Sequence, residues 1–234
     1  MTKLTVSIPN YNGGENLQRA IESCQKIMLT SNEFEISNAF SSSNPYDDNC
    51  KIVVNVGTIC ERKNQLLTIK AFNNLKNLRQ NVQLHFVGDT SSEYSYYQIL
   101  KDYVLKNNLE NKIFFHGLKN DYLRYMVHSD LVVLSSKAEG MTRILREAMF
   151  MKKPIVASYI EGNIELIGNG NGILIHNESS VDYSQAFFKI LNDSNFADKI
   201  SKLAYKTYIK KYSNTQYNLN LNTIFNELNY NNEL

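Results

Sequence analysis

The stretch that decides the fold runs Leu131-Val132-Val133-Leu134-Ser135-Ser136-Lys137-Ala138-Glu139-Gly140-Met141-Thr142-Arg143-Ile144-Leu145-Arg146-Glu147-Ala148-Met149. Its first four residues are continuously apolar, as strands buried on both faces tend to be. Beyond the polar turn at Gly140, apolar residues return at helical spacing, which predicts a helix from Arg143 to Phe150. A strand that turns through a glycine into a helix leaves the helix's first N–H groups unpaired and facing the crevice, a ready anion site. A phosphate fits there without any side chain. Glu139 before the helix and Glu147 within it flank that site, and paired acceptors suit a polyhydroxylated ligand with a phosphate in the middle. Taken alone, such a pair has a plainer reading, in which Glu139 complements the helix dipole and Glu147 is solvated.

Working outward, the same alternation recurs. Ile52 to Val56, Val82 to Val87, Lys112 to Phe115, Leu131 to Leu134, Pro154 to Ala157 and Gly172 to Ile175 are six apolar, largely β-branched runs. Between them, Leu66, Ile69, Phe72 and Leu75, then Tyr96, Ile99, Leu100, Tyr103 and Val104, carry helical spacing, and Asp121 to His128 supplies a shorter helix. Repeated strand-helix units predict an α/β fold, a Rossmann-like doubly wound parallel sheet. The tail from Val181 onward has helical period, and its helices are expected to cover the sheet edge. Ligands of such sheets sit beyond the carboxyl ends of the strands, so chemistry is sought in the loops after Val56, Val87, Phe115, Leu134 and Ala157.

One of those loops carries a second cluster. Gly57-Thr58-Ile59-Cys60-Glu61-Arg62-Lys63-Asn64 follows the first of the six runs and places Arg62 and Lys63 near a helix start, where positive side chains oppose the dipole and call for an anion. A basic pair by itself is usually only solvated. Two phosphate-suited loops at neighbouring strand ends favour a single diphosphate crevice.

Composition narrows the rest. The chain has 234 residues, 43% of them hydrophobic, enough for a core without staples, and 25 basic against 23 acidic residues leave a net charge of +2 that demands no nucleic-acid partner. Cys24, Cys50 and Cys60 are odd in number and match neither a disulfide framework nor a zinc pattern, which points to a reducing compartment, the cytoplasm by default. No run approaches the ~18 apolar residues of a membrane helix, and Leu4 to Ile8 is too short and polar for a signal peptide, so a soluble protein is expected. His85, mid-strand, reads as a satisfied core residue, while His116 at a strand end is nearer the crevice; the histidines share no metal spacing.

From Lys51 to about Ile175 the sequence resembles the C-terminal, donor-binding lobe of retaining GT-B glycosyltransferases of family four. The marks are Glu139 and Glu147 followed by Ala148-Met149, Lys153-Pro154-Ile155-Val156-Ala157-Ser158, the loop Gly57 to Asn64, Phe115-His116-Gly117-Leu118, and Asn171-Gly172-Ile173-Leu174-Ile175. The resemblance implies a nucleotide-diphosphate-sugar donor, UDP- or GDP-linked, as co-substrate, with no further cofactor and no metal. It assigns Glu147 to the ribose hydroxyls. Glu139 and the amides of Gly140, Met141 and Thr142 go to the transferred sugar and phosphates, and Gly57, Thr58, Arg62 and Lys63 to the diphosphate, with Glu139 and Lys63 as the catalytic pair. The base is placed against Gly117 and Leu118. The family usually carries an Arg directly after the loop glycine; Thr58 stands there, and Arg62 is the substitute charge.

Residues 1–50 read as a strand (Leu4 to Ile8), an amphipathic helix (Leu17 to Met28) and a polar linker (Asn38 to Asn49), ahead of a donor-binding domain at 51–234. Val6 to Leu17 and Ala20 to Ser23 resemble the start of a GT-A family-two domain; a competing reading makes Lys3 to Asn10 the last strand before an ordinary GT-B C-terminal lobe. Neither supplies an acceptor lobe, which needs ~150 residues. Three readings stay open: a glycosyltransferase whose acceptor lobe comes from another chain or a homodimer mate, a stand-alone transferase, and a nucleotide-sugar-binding module or inactive remnant. A glycan or lipid-linked acceptor is implied, the latter consistent with a peripheral place at the membrane.

Overall fold

A computed structural model describes residues 33–46, 49–75, 81–140, 142–213, 215, 216 and 219. The six apolar runs form strands where the pattern predicts them: β1 (Lys51–Val56), β2 (Val82–Val87), β3 (Ile113–Phe115), β4 (Leu131–Leu134), β5 (Ile155–Ser158) and β6 (Ile173–Ile175). All pair in parallel in the order β3-β2-β1-β4-β5-β6, so the winding reverses between β1 and β4. That reversal is the crevice-forming point of a doubly wound sheet.

The helices are α1 (Glu33–Ala39), α2 (Gln65–Leu75), α3 (Tyr94–Lys106), α4 (Tyr122–Val127), α5 (Arg143–Phe150), α6 (Glu161–Ile167), α7 (Ser180–Asn192) and α8 (Ser194–Lys211). Alternate strand residues separate two cores, as the two-residue period requires. Val53, Leu84, Leu131, Val133 and Val156 face α2, α3 and α7, whereas Val54, Val56, Val132, Leu134, Ile155 and Ala157 face α1, α4, α5, α6 and α8.

Three features depart from the expected outline. The C-terminal helices lie on faces of the sheet and not at its edge: α7 packs on α2 and strands β4 to β6, and α8 packs on α5. Helix α6 was not predicted, because it is short, has a glycine in its first turn and begins after the apolar Ile160. The stretch expected as a linker is anchored at Tyr46, whose hydroxyl donates to the Tyr125 carbonyl at 2.7 Å and whose ring packs on His85 at 4.5 Å. The strand and helix expected between Leu4 and Met28, and both resemblances of the N-terminal segment, lie outside the described residues.

Backbone contacts lock the strand-end loops together. Gly57 donates to the Val87 carbonyl at 2.9 Å, Gly88 to that of Gly117 at 2.9 Å, and Lys137 to that of Arg62 at 2.8 Å. Gly88 lies so close to the β1 loop that a Cβ there would stand 2.0 Å from the Gly57 carbonyl oxygen. Gly88→Ala must therefore displace backbone. The expected cost is about 1–3 kcal/mol in urea unfolding, the range for overpacking a tight site; a loss within error of zero would show that the two loops are not in contact.

Candidate functional site

Two loops meet at the β1/β4 reversal. The loop after β1 turns through Gly57, at φ +149°, and then through a short 3-10 turn at Glu61–Lys63 that ends in a left-handed Asn64. The Lys63 side chain runs back over Gly57, where a Cβ would already touch its Cε at 3.5 Å. Its ammonium lies 2.5 Å from Glu139 Oε1 in the loop after β4, and the Arg62 guanidinium lies 3.3 Å from the other oxygen while donating to the Ala138 carbonyl at 2.8 Å. The cations read as opposing a helix dipole thus have a carboxylate as their counter-charge. Burial pushes the Glu139 carboxyl up, but the hydrogen bonds of Lys63 and Ser136 and the charges of Lys63 and Arg62 hold it below its ordinary value.

The loop after β4 is braced from beneath. The Ser135 hydroxyl bonds the Asn64 carbonyl at 2.8 Å, and Ser158 donates to the Ser136 carbonyl at 2.6 Å. Thr142, the residue preceding α5, makes no side-chain cap; its hydroxyl instead bonds the buried Asn163 Oδ1 at 3.2 Å, and Asn163 donates on to the Ser158 carbonyl at 3.0 Å. The start of α5 is therefore uncapped by its own N-terminal side chain, the condition for holding an anion. Gly162 fits beneath the loop only as glycine, since a Cβ would stand 2.0 Å from the Gly140 carbonyl oxygen. Gly140 itself faces open space, with nothing within 4 Å of where a Cβ would be.

Glu147 lies one turn into α5 and is 2% exposed, so the solvated reading of it fails. Its Oε1 accepts from the Tyr122 hydroxyl at 2.8 Å and lies 3.4 Å from Arg143 Nε. Burial raises its carboxyl to about 7 despite the Tyr122 bond and the Arg143 and Arg146 charges, which pull it down. Glu139 ahead of α5 and Glu147 one turn inside it are thus pushed in opposite directions, a pattern found at many functional sites.

Of the residues expected to act together, Gly57, Arg62, Lys63, Glu139, Gly140 and Thr142 are assembled around the β1/β4 reversal, and Glu147 stands beyond them along α5. Thr58 is exposed beside Gly57, its carbonyl accepting from Gln65 at 2.9 Å. Gly117 and exposed Leu118 follow β3 and join the cluster through the Gly88 bond. Met141 lies outside the described residues. His85 is buried, with Nδ1 2.9 Å from His116 Nε2 and Nε2 3.1 Å from Gln83 Oε1; burial holds its imidazole down at about 3, and both histidines are engaged with each other. Sequence reasoning missed Tyr122, Arg143, Gly162 and Asn163. The adjacent Gly162-Asn163 pair at the next strand end was the available signal.

Comparison with known proteins gives the family and the fold. Residues 37–207 match the family described as glycosyl transferases group 1. A poly(ribitol-phosphate) alpha-N-acetylglucosaminyltransferase of Staphylococcus aureus is 27% identical over 192 residues, 78% of this chain and 38% of that protein. An Anabaena protein, Alr3699/HepE, solved in complex with UDP and glucose, superposes with a TM-score of 0.72 at 24% identity, over 84% of this chain and 53% of that one. The C-terminal domain of a glycosyl transferase group 1 protein, LpcC, from Francisella tularensis superposes at 0.65 and 23% identity, over 70% of this chain and 86% of that domain. The 234 residues thus span well under half of the staphylococcal relative's length, while one lobe of the architecture is matched nearly whole. With the sheet reversal, the uncapped α5 and the flanking acids in place, the chain belongs to the group 1 glycosyl transferases.

Proposed function

We propose that this chain is the donor-binding lobe of a glycosyltransferase that moves a sugar from a nucleotide-diphosphate-sugar to a glycan or lipid-linked acceptor. The observation that carries this reading is the uncapped start of α5 set against Lys63 and Arg62 across the β1/β4 reversal. The diphosphate takes the α5 amides on one side and the Lys63 ammonium on the other. Glu147 accepts from the ribose hydroxyls, Glu139 orients the transferred sugar, and the base rests on the loop at Gly117 and Leu118. The complex of the Anabaena protein with UDP and glucose supports that occupant by analogy of fold.

Catalysis in this reading is electrostatic. As the bond from the anomeric carbon to the diphosphate oxygen breaks, negative charge grows on that oxygen, and fixed amides and an ammonium stabilise it without reorganising. Lys63 is held by Glu139 and across Gly57, so its charge is in place before the donor binds. The chemistry needs no metal, and retention of configuration follows from the family resemblance. The acceptor is held in this reading by a lobe outside these 234 residues, which span 38% of the staphylococcal relative. A second reading, binding without turnover, draws on Thr58, which puts a neutral side chain where the family's cation stands.

Calorimetry with UDP, GDP, ADP and their sugars tests the lobe. One nucleotide should bind, and at a hundred times its dissociation constant it should stabilise the fold by ~2.7 kcal/mol. Glu147→Gln should weaken it by about tenfold or more, the worth of a hydrogen bond to a charged group. Retained affinity in that variant would remove Glu147 from the site. Binding with neither donor hydrolysis nor transfer would select the second reading.

The same variant separates function from stability. A buried acid whose folded value lies above its unfolded one penalises the fold increasingly as pH climbs from about 4.3, the unfolded value, to about 7, where the penalty is complete. Glu147→Gln should therefore match the wild-type melting temperature near pH 4 and exceed it by a margin that grows to about pH 7 and then levels. A margin independent of pH would show that Glu147 is not held protonated by its surroundings.

A further inference from the structure

Glu147 sits where a carboxylate has lost its water, so its protonation and orientation depend on the groups around it. Those groups come from every element packed against it. Arg143 and Arg146 belong to its own helix, Tyr122 comes from α4, Glu35 from α1, and Tyr208, whose hydroxyl donates to Glu33 at 2.9 Å, from α8. Tyr122 donates to the carboxylate directly, at 2.8 Å, from a ring that burial keeps un-ionised. Arg143 reaches the same oxygen at 3.4 Å and lies over the Tyr122 ring at 5.6 Å, so ring and guanidinium hold one another in place. The Arg143 side chain is 62% exposed, and water screens its charge; the phenol is the steadier of the two.

The position of Tyr122 in the chain matters as much as its bond. It is the first residue of α4, directly after the loop that leaves β3 through Gly117 and Leu118. One hydroxyl therefore ties the loop assigned to the base to the carboxylate assigned to the ribose. A purely structural contact at this depth would be made more cheaply by two apolar side chains, since burying an acid costs stability that its hydrogen bonds only partly return.

We propose that Tyr122 is a positioning residue for nucleotide recognition: its hydroxyl fixes the orientation of the Glu147 carboxylate toward the ribose hydroxyls. The inference rests on the reading of Glu147 as the ribose-binding acid.

The test is calorimetric binding of UDP, or of GDP if that is tighter, and of the matching 2′,3′-dideoxy nucleotide, between pH 5.5 and 9. Wild type should prefer the ribonucleotide and lose it on the acid side as Glu147 takes up a proton. Tyr122→Phe should weaken the ribonucleotide by about tenfold while leaving the dideoxy nucleotide unchanged, the loss expected for one hydrogen bond to a charged group. Its acid limb should move to higher pH, because the carboxylate has lost a donor that favoured ionisation. Should that variant fold poorly, 3-fluorotyrosine at position 122 keeps the shape and strengthens the donor, and the limb should move to lower pH. Equal weakening of both nucleotides, or an unmoved acid limb with either substitution, would make Tyr122 merely structural and overturn the proposal. If Glu147→Gln abolishes the ribose preference while Tyr122→Phe keeps it, the role of Tyr122 falls and that of Glu147 stands. If Glu147→Gln keeps the preference too, the reading of Glu147 falls first.

Discussion

The contact on which the site depends is the one between Glu139 and the cations of the β1 loop. It crosses the reversal of the sheet, joining the loop that opens one half of the winding to the loop that opens the other. Its members are poorly placed for stability: the Glu139 and Lys63 side chains are 10% and 15% exposed, so both ions lose much of their hydration to meet. A pair so situated roughly breaks even against apolar replacements, whereas removing one partner strands the other. What it does secure is geometry, because it holds Lys63 across Gly57 and fixes the loop after β1 to the loop that leads into α5. Preorganised charge is worth most where it need not move during the reaction.

Backbone proximity makes that arrangement possible. Gly88 presses on the Gly57 carbonyl and Gly162 on the Gly140 carbonyl, so two loops are each supported from a neighbouring strand end with no side chain between. Main chain rather than side chains therefore makes the closest contacts between these loops. Amides and carbonyls carry no identity of their own, so many unrelated sequences can build such a crevice.

How much of this was legible in the sequence follows from which forces act locally. The inner strands β1, β2, β4 and β5 were readable because nearly all their residues are buried, the edge strands β3 and β6, only partly buried, were readable as short apolar runs, and α5 was readable because its apolar spacing follows a glycine turn. Helix α6 was not, since Gly162 and Asn163 in its first turn are there for close packing and for the Thr142 bond, and neither favours a helix. Lys63, Arg62 and Glu139 were expected at one crevice, but not as one another's partners: that Lys63 and Arg62 meet Glu139 depends on two loops far apart in the chain. Tyr122 escaped notice for the same reason, because nothing at the start of a short helix announces a carboxylate donated by another.

The two acids show what such tertiary pairing achieves. Glu139, faced by two cations, is held below its ordinary value and so keeps its charge, whereas Glu147, sunk against α4 with a phenol and a partly solvated guanidinium, is raised to about 7 by burial. Identical side chains flanking one helix start therefore differ in charge because their surroundings differ, which lets one hold a fixed counter-charge while the other responds to what binds. A hydroxyl donated to Glu147 favours its ionised form, so a ribose seated there and the loss of a proton reinforce each other. In the proposed reading, recognition of the nucleotide is therefore coupled to the ionisation of a group that its surroundings leave near the midpoint of its titration.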